Sequence, residues 1–178
     1  GVEYVFGYPG GAAIPLFGQK SPGLLGLAVA VAMAQRLERY SVPVQIKWPN
    51  DLIVRGRKLA GFLPRLIYRG ETLRFGRIGL GLNVRNHIPI GGISLAEILW
   101  PINCQPCVWA SEVLVALERA TELICEADAL CVEAEGLLWA KEVKDPQTGE
   151  IFEIDGLDND GALKIRKGSY KTVWNRWE

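Results

Sequence analysis

The nineteen residues from Gln45 to Leu63, QIKWPNDLIVRGRKLAGFL, constrain the fold of this chain more than any other stretch. Val42, Val44, Ile46 and Trp48 alternate with Pro43, Gln45 and Lys47, the period of two that marks a half-buried strand. Pro49 ends the run and holds Trp48 extended. Asn50-Asp51 is a turn pair, Leu52 to Val54 a short apolar strand, Arg55-Gly56 a two-residue reversal, and Arg57 to Leu63 the returning strand.

Pairing across Arg55-Gly56 sets Val54 opposite Arg57, Ile53 opposite Lys58, Leu52 opposite Leu59 and Asp51 opposite Ala60. Asp51 and Lys58 then share a face as diagonal neighbours, about 7–8 Å apart. That is too far for a direct bond at the backbone level, and it suits two opposite charges reaching toward one ligand or a ligand-bound metal. Gly61, with no side chain, lets a ligand approach the strand. The plain alternative is a surface hairpin with solvated charges. Two features weigh against it. Lys47 and Lys58 flank a carboxylate, and no further acid follows until Glu71. A strand with glycines at 76, 79 and 81, ending in Asn83, comes next. Glycines weaken a strand and make sense where something packs on the backbone. An anion site is the better reading.

Twenty basic and twenty acidic residues leave no net charge, which argues against nucleic-acid or membrane-surface binding through a basic field. The uncharged stretches Phe6–Gln19 and Ser21–Gln35 are too short and too broken by Gly and Pro to span a bilayer. No basic segment precedes an apolar one as in a signal peptide, so the cytoplasm is the expected compartment. Cys104 and Cys107 form a CxxC, but Cys125 and Cys131 lie five residues apart in a helical stretch, and His87, the lone histidine, is elsewhere. That spacing does not make a zinc site, and thiols in a reducing compartment are expected.

Ser21-Pro22 opens a helix, with Ser as cap and Pro at the first helical position. Leu24 to Tyr40 is apolar nearly all round until Gln35-Arg36 and should be deeply buried. Leu63 to Tyr68 is a strand, Arg69-Gly70-Glu71 a turn, and Thr72 to Val84 the return. Ser94 to Glu97 is a capping box for a short helix. A long amphipathic helix, about Val108 to Gly136, follows with its glutamates on a solvated face. From about Lys141 the pattern changes to short strands and turns, with Asp158-Asn159-Asp160-Gly161 as a hairpin turn. So small a module must lean on the main domain. At the other end, Val2, Tyr4 and Phe6 alternate as an edge strand would.

KWPND (Lys47–Asp51), KLAG (Lys58–Gly61) and the GxGxN strand (Gly79–Asn83) together resemble the catalytic domain of the biotin–protein ligases, over roughly residues 24–178. The resemblance implies an α+β fold: a mixed, largely antiparallel sheet with packed helices, of class II synthetase type, plus a small C-terminal SH3-like β module. Residues 1–20 would be an atypical leader, 21–140 a partial catalytic domain and 141–178 the module. The implied reaction joins biotin to ATP as biotinyl-5'-AMP. It then transfers biotin to a lysine of the biotin carboxyl carrier protein of acetyl-CoA carboxylase. No enzyme nucleophile is required, in keeping with the lack of a Ser/His or Cys/His arrangement.

By the same resemblance Lys58 is catalytic and contacts both the biotin carboxylate and the phosphate. Gly61, Leu63, Gly79 and Gly81 line the biotin floor. Lys47, Asn50, Asp51 and Asn83 serve ATP, and Asp51 also holds Mg²⁺. Two segments of the family, a Ser-Thr-Asn-type stretch and the Arg/Gly-rich GRGRxGRxW loop, have no counterpart here, and residues 1–20 contain no arginine. The alternative is therefore an impaired remnant that binds carrier protein or nucleotide only. Missing strands would leave a sheet edge open and favour association, including a homodimer. No nucleic-acid or membrane partner is expected. GVEYVFGYPGGAAIP at the start resembles acetohydroxyacid synthase, a thiamine-diphosphate enzyme, over those residues alone.

Overall fold

A computed structural model of the chain describes residues 21–99 and 104–175. Its elements run α1 (Pro22–Glu38), β1 (Gln45–Lys47), β2 (Asp51–Val54), β3 (Arg57–Arg69), β4 (Thr72–Leu82), α2 (Leu95–Leu99), α3 (Pro106–Leu123) and α4 (Ala127–Gly136). Four further strands follow: β5 (Glu142–Lys144), β6 (Ile151–Leu157), β7 (Leu163–Lys167) and β8 (Tyr170–Trp174). They make two four-stranded sheets, β1-β2-β3-β4 and β5-β6-β7-β8. All pairs of these strands are antiparallel, and among the described residues parallel contact is confined to the bridges Ile46–Leu138 and Lys58–Gly92. This is the α+β architecture expected. Among the described residues no helix is long and apolar enough to cross a membrane.

The fold is built on α1. The Ser21 hydroxyl accepts the Leu24 N–H at 3.0 Å and starts the helix as expected. Every residue from Gly23 to Ala34 is then buried. One face of the first sheet supplies its cover, with Ile46, Leu52, Ala60, Phe62 and Leu80 in the same core. The other side is covered by α3, whose buried Trp109, Val113, Ala116, Ala120 and Leu123 recur every three or four residues. Each large aliphatic side chain so buried contributes about 1.5–3 kcal/mol. A charge at Val29 would remove one such contribution and add an unpaired buried ion.

The bounds of two strands differ from expectation. The Val42–Trp48 run enters the ladder only at Gln45–Lys47, although Val42 and Val44 are buried. The segments on either side of Leu63 are one thirteen-residue strand, β3, that runs through Pro64. The Phe62 N–H points toward the β2 side, where it bonds the Asn50 carbonyl at 2.9 Å. Two residues on, the Pro64 nitrogen points the same way, past the end of β2, so the ladder loses no donor there.

The expected single helix of Val108–Gly136 is two. Cys125 and Glu126 turn back to the carbonyls of Glu122 and Leu123, and Glu126 leaves the helical region at φ −113°, ψ 60°. The break lets α4 present Leu130, Cys131 and Ala134 to the core on its own axis. Two glutamates are not solvated as expected. Glu112 bonds Arg36 and Tyr40, and Glu135 accepts the Leu157 N–H at 2.6 Å.

Phe152, Leu157, Leu163 and Ile165 of the second sheet share the core with α1, so that sheet does lean on the main body. The β1 edge is closed by backbone bonds from Ile46 to Leu137 (2.7 Å) and from Trp139 to Ile46 (2.9 Å). The outer edge of β4 has no strand partner among the described residues. The expected strand at Val2–Phe6 and the synthase-like start lie outside those residues.

Candidate active site

Arg55 (φ 49°) and Gly56 (φ 73°) both take left-handed conformations, which gives the expected two-residue reversal between β2 and β3. Val54 faces Arg57 and Ile53 faces Lys58, also as expected. Beyond that the ladder slips. Leu52 faces Ala60, not Leu59, and Asp51 faces Gly61, not Ala60. Leu59 and Ala60 are 0% and 2% exposed. The one-residue bulge at Leu59 lets both turn to the core.

The slip lines up a row. Lys47, Asp51, Gly61 and Gly81 stand side by side across β1 to β4, and Leu63 faces Gly79 one step along. This face points away from the core, while the neighbouring row of Ile46, Leu52, Ala60 and Leu82 packs inward. Leu63 is 69% exposed on the open side.

Asp51 and Lys58 do not stand apart, as the diagonal spacing suggested. Lys58 Nζ lies 2.6 Å from Asp51 Oδ1. The lysine stem spans the diagonal and lays its ammonium across the β3 backbone. A Cβ at Gly61 would come within 2.9 Å of Asp51 Oδ1 and 3.0 Å of Lys58 Nζ, so glycine is what admits the ion pair. Gly81 is different. A Cβ there would meet nothing within 4 Å, which leaves the floor open beside the pair. At Gly79 it would make ordinary contact with Leu63 Cβ at 3.5 Å.

The backbone of Lys58 is held from one side. Its N–H bonds the Gly91 carbonyl at 3.0 Å, and its carbonyl accepts from Ile93 N–H (3.0 Å) and Asn83 Nδ2 (3.2 Å). Where β4 ends, Gly91–Ile93 takes its place beside β3. The alternation of apolar residues does not reveal this pairing. The available signal was the Gly91-Gly92 pair: Gly91 has φ 86°, and a Cβ at Gly92 would collide with Ile88.

The remaining expected residues fall around this pair. Asn83 also accepts from Asn86 Nδ2 at 3.3 Å. Asn50 clasps Phe62 twice, donating from Nδ2 to its carbonyl and accepting its N–H. Lys47 Nζ lies 5.9 Å from the centre of the Trp139 ring, at the edge of the row. The cysteines stay apart from the site: Cys104 is buried with its thiol 3.7 Å from the Leu95 carbonyl, and Cys107 is exposed. Among the described residues no cluster of three His, Cys, Asp or Glu could hold a metal.

The Lys58 side chain is 53% exposed and that of Asp51 20%. An ion pair this open contributes at most about 1 kcal/mol to stability. What it provides is a positive charge of fixed position beside a glycine floor, and that is the element needed to bring two anions together.

Residues 15–83 match the sequence profile of the Biotin/lipoate A/B protein ligase family. The chain is 42% identical over 72 residues to the bifunctional ligase/repressor BirA of Bacillus subtilis, covering 40% of this chain and 21% of that protein. Against BirA of Escherichia coli K12 it is 30% identical over 171 residues, covering 84% of this chain and 50% of the other. The chain thus spans about half the length, or less, of these relatives. The biotin protein ligase of Aquifex aeolicus has the same fold, with a TM-score of 0.71 at 22% identity over 85% of this chain and 72% of that one.

Proposed function

For this chain, which is a relative of the biotin–protein ligases, we propose the ATP-dependent activation of biotin and its transfer to a lysine of a carrier protein. The observation that carries this reading is the Asp51–Lys58 pair lying over Gly61, next to the open floor at Gly81. In the first step a biotin carboxylate oxygen attacks the α-phosphorus of ATP and pyrophosphate leaves. The Lys58 ammonium sits where the two anions meet and stabilises the charge that accumulates between them. In the second step a carrier lysine amine attacks the acyl carbon, AMP leaves and the amine loses a proton to solvent. Gly61, Leu63, Gly79 and Gly81 form the apolar floor for biotin. Lys47, Asn50, Asp51 and Asn83 face the nucleotide.

Magnesium takes few protein carboxylates when substrate phosphates supply its other oxygens, and the single carboxylate of Asp51 suits that donor set. When bound there, the ion would neutralise phosphate charge. The carrier we propose is the biotin carboxyl carrier protein of acetyl-CoA carboxylase. The setting is the cytoplasm, with residues 21–140 as the ligase core and 141–178 as an SH3-like module.

The test is biotin-dependent exchange between ATP and pyrophosphate, comparing this chain with Lys58→Ala. Exchange that requires biotin and disappears in the variant is expected. If the folded wild type shows none, adenylation is overturned for this chain and the binding-only alternative takes its place. Exchange that survives in Lys58→Ala would remove Lys58 from its role.

A further inference from the structure

The β6–β7 turn, far from the site in sequence, is wedged against the start of α1 and bonded to Trp48, which precedes the site's connection. Gly161 carries φ +84°, and a Cβ there would stand 3.2–3.3 Å from the α1 backbone at Gly23 and Leu24, which cannot give way. Three side chains from three other segments bond the backbone of the turn. Ser21 Oγ donates to the Asp160 carbonyl at 2.5 Å, Cys131 Sγ to the Asp158 carbonyl at 3.1 Å, and Trp48 Nε1 to the Gly161 carbonyl at 2.9 Å. Ala162 and Leu163 behind the turn are buried. The turn is therefore fixed in place by the body of the protein.

Trp48 stands between Lys47 and the Pro49-Asn50-Asp51 connection that carries the site. That connection is tied on its far side to β3, through the double clasp of Asn50 on Phe62 and the Asp51–Lys58 pair. On its near side the bond from Trp48 to Gly161 ties it to the second sheet. We propose that Trp48 is a positioning residue: through the Gly161 carbonyl, the β6–β7 turn sets the placement of Asn50 and Asp51, and the C-terminal sheet is part of the support of the ligand site. The proposal builds on the site reading above only in its ligand-binding arm.

The experiment uses the full chain with Trp48→Phe, which keeps an aromatic ring and deletes the donor. Amide hydrogen exchange reports directly on the clasp. Protection of the Phe62 amide is expected to fall at least tenfold, while that of Val31 in α1 stays within twofold. Calorimetric titration with ATP is expected to show a Kd raised about fivefold. Gly161→Ala, approaching from the other side, is expected to give the same local loss at Phe62. Unchanged protection at Phe62 would overturn the proposal, and so would an equal loss at Val31, which a merely structural bond would give. A wild type that binds no ATP would defeat the functional reading, while the exchange data would still decide the coupling.

Discussion

Arg36 Nε lies 2.5 Å from Glu112 Oε2, and Lys58 Nζ lies 2.6 Å from Asp51 Oδ1, yet these two ion pairs have different surroundings. The first joins the end of α1 to α3, with side chains 19% and 12% exposed. The second Glu112 oxygen accepts the Tyr40 hydroxyl at 2.7 Å, and the Tyr40 ring lies 4.9 Å from Trp109. Both carboxylate oxygens are thus bonded, and the pair is largely withdrawn from solvent. The Asp51–Lys58 pair lies on the open sheet face over a glycine, with Lys58 half exposed. A screened pair contributes little to folding, whereas a shielded and fully bonded one is costly to break. The two contacts differ in length by only 0.1 Å (2.5 against 2.6 Å), so it is the surroundings that separate a joint between helices from a charge kept for a ligand.

The sharpest test of this contrast is Lys58→Met, which keeps the stem and deletes the charge. Biotin-dependent pyrophosphate exchange is expected to fall by about 10²–10³, as for loss of one fixed charge at a reacting anion. Stability in urea is expected to stay within about 1 kcal/mol. A loss of stability matching that of the helix joint would abolish the contrast. The mirror variant, Glu112→Ala, leaves the Arg36 charge largely buried and should cost about 3 kcal/mol in urea unfolding. The KM for ATP of the folded protein should not move. A raised KM would mean that the α1–α3 joint reaches the site.

The same contrast marks what the sequence disclosed. Lys58 and Asp51 were legible because turn chemistry and alternation put them on one face; Gly61 joins them only through the register slip. The ion pair itself was not, because it depends on the bulge at Leu59 and on a lysine stem spanning a diagonal. A bulge leaves no period in the sequence; only the demand to bury Leu59 and Ala60 together betrays it. The apolar α1 and its Ser21 cap were equally plain, since both are local patterns. Glu112 was assigned to solvent because its partners, Arg36 at the end of α1 and Tyr40 in the turn after it, lie more than seventy residues away. The gap between α3 and α4 was missed for a related reason. Helical periodicity continues through Cys125, and the break is set by packing.

Gly61→Ala tests the open pair more gently. Gly61 does not have a left-handed φ, so the backbone accepts alanine. The added methyl would press on Asp51 Oδ1 and on Lys58 Cε and Nζ, which are ends of flexible chains. Stability is expected to change by no more than about 0.5 kcal/mol. Displacing the ammonium should lower exchange activity about tenfold, or about 1.4 kcal/mol. Full activity would show that the position of Lys58 over β3 does not matter.

The smallest expected effect concerns the shielded pair and acid. The hydrogen bond from Arg36 first, and that from Tyr40 after it, hold the Glu112 carboxyl below the ordinary glutamate range, against the opposing effect of burial. A depressed folded-state value means that the native protein binds fewer protons than the unfolded chain in the window between the two. Stability from Glu112 is therefore complete above the unfolded value of about 4.3, and it is lost as pH falls through the folded one. At the alkaline end the sign reverses, because Glu112 raises the Tyr40 phenol. That contribution is complete below an unfolded value of about 10 and fades as pH climbs above it. Arg36 remains charged throughout. Glu112→Gln has no carboxyl to titrate, so urea midpoints for wild type and variant should converge as pH drops below about 4.3. Parallel curves over that window would place the acid sensitivity elsewhere and leave the helix joint without an electrostatic share in it.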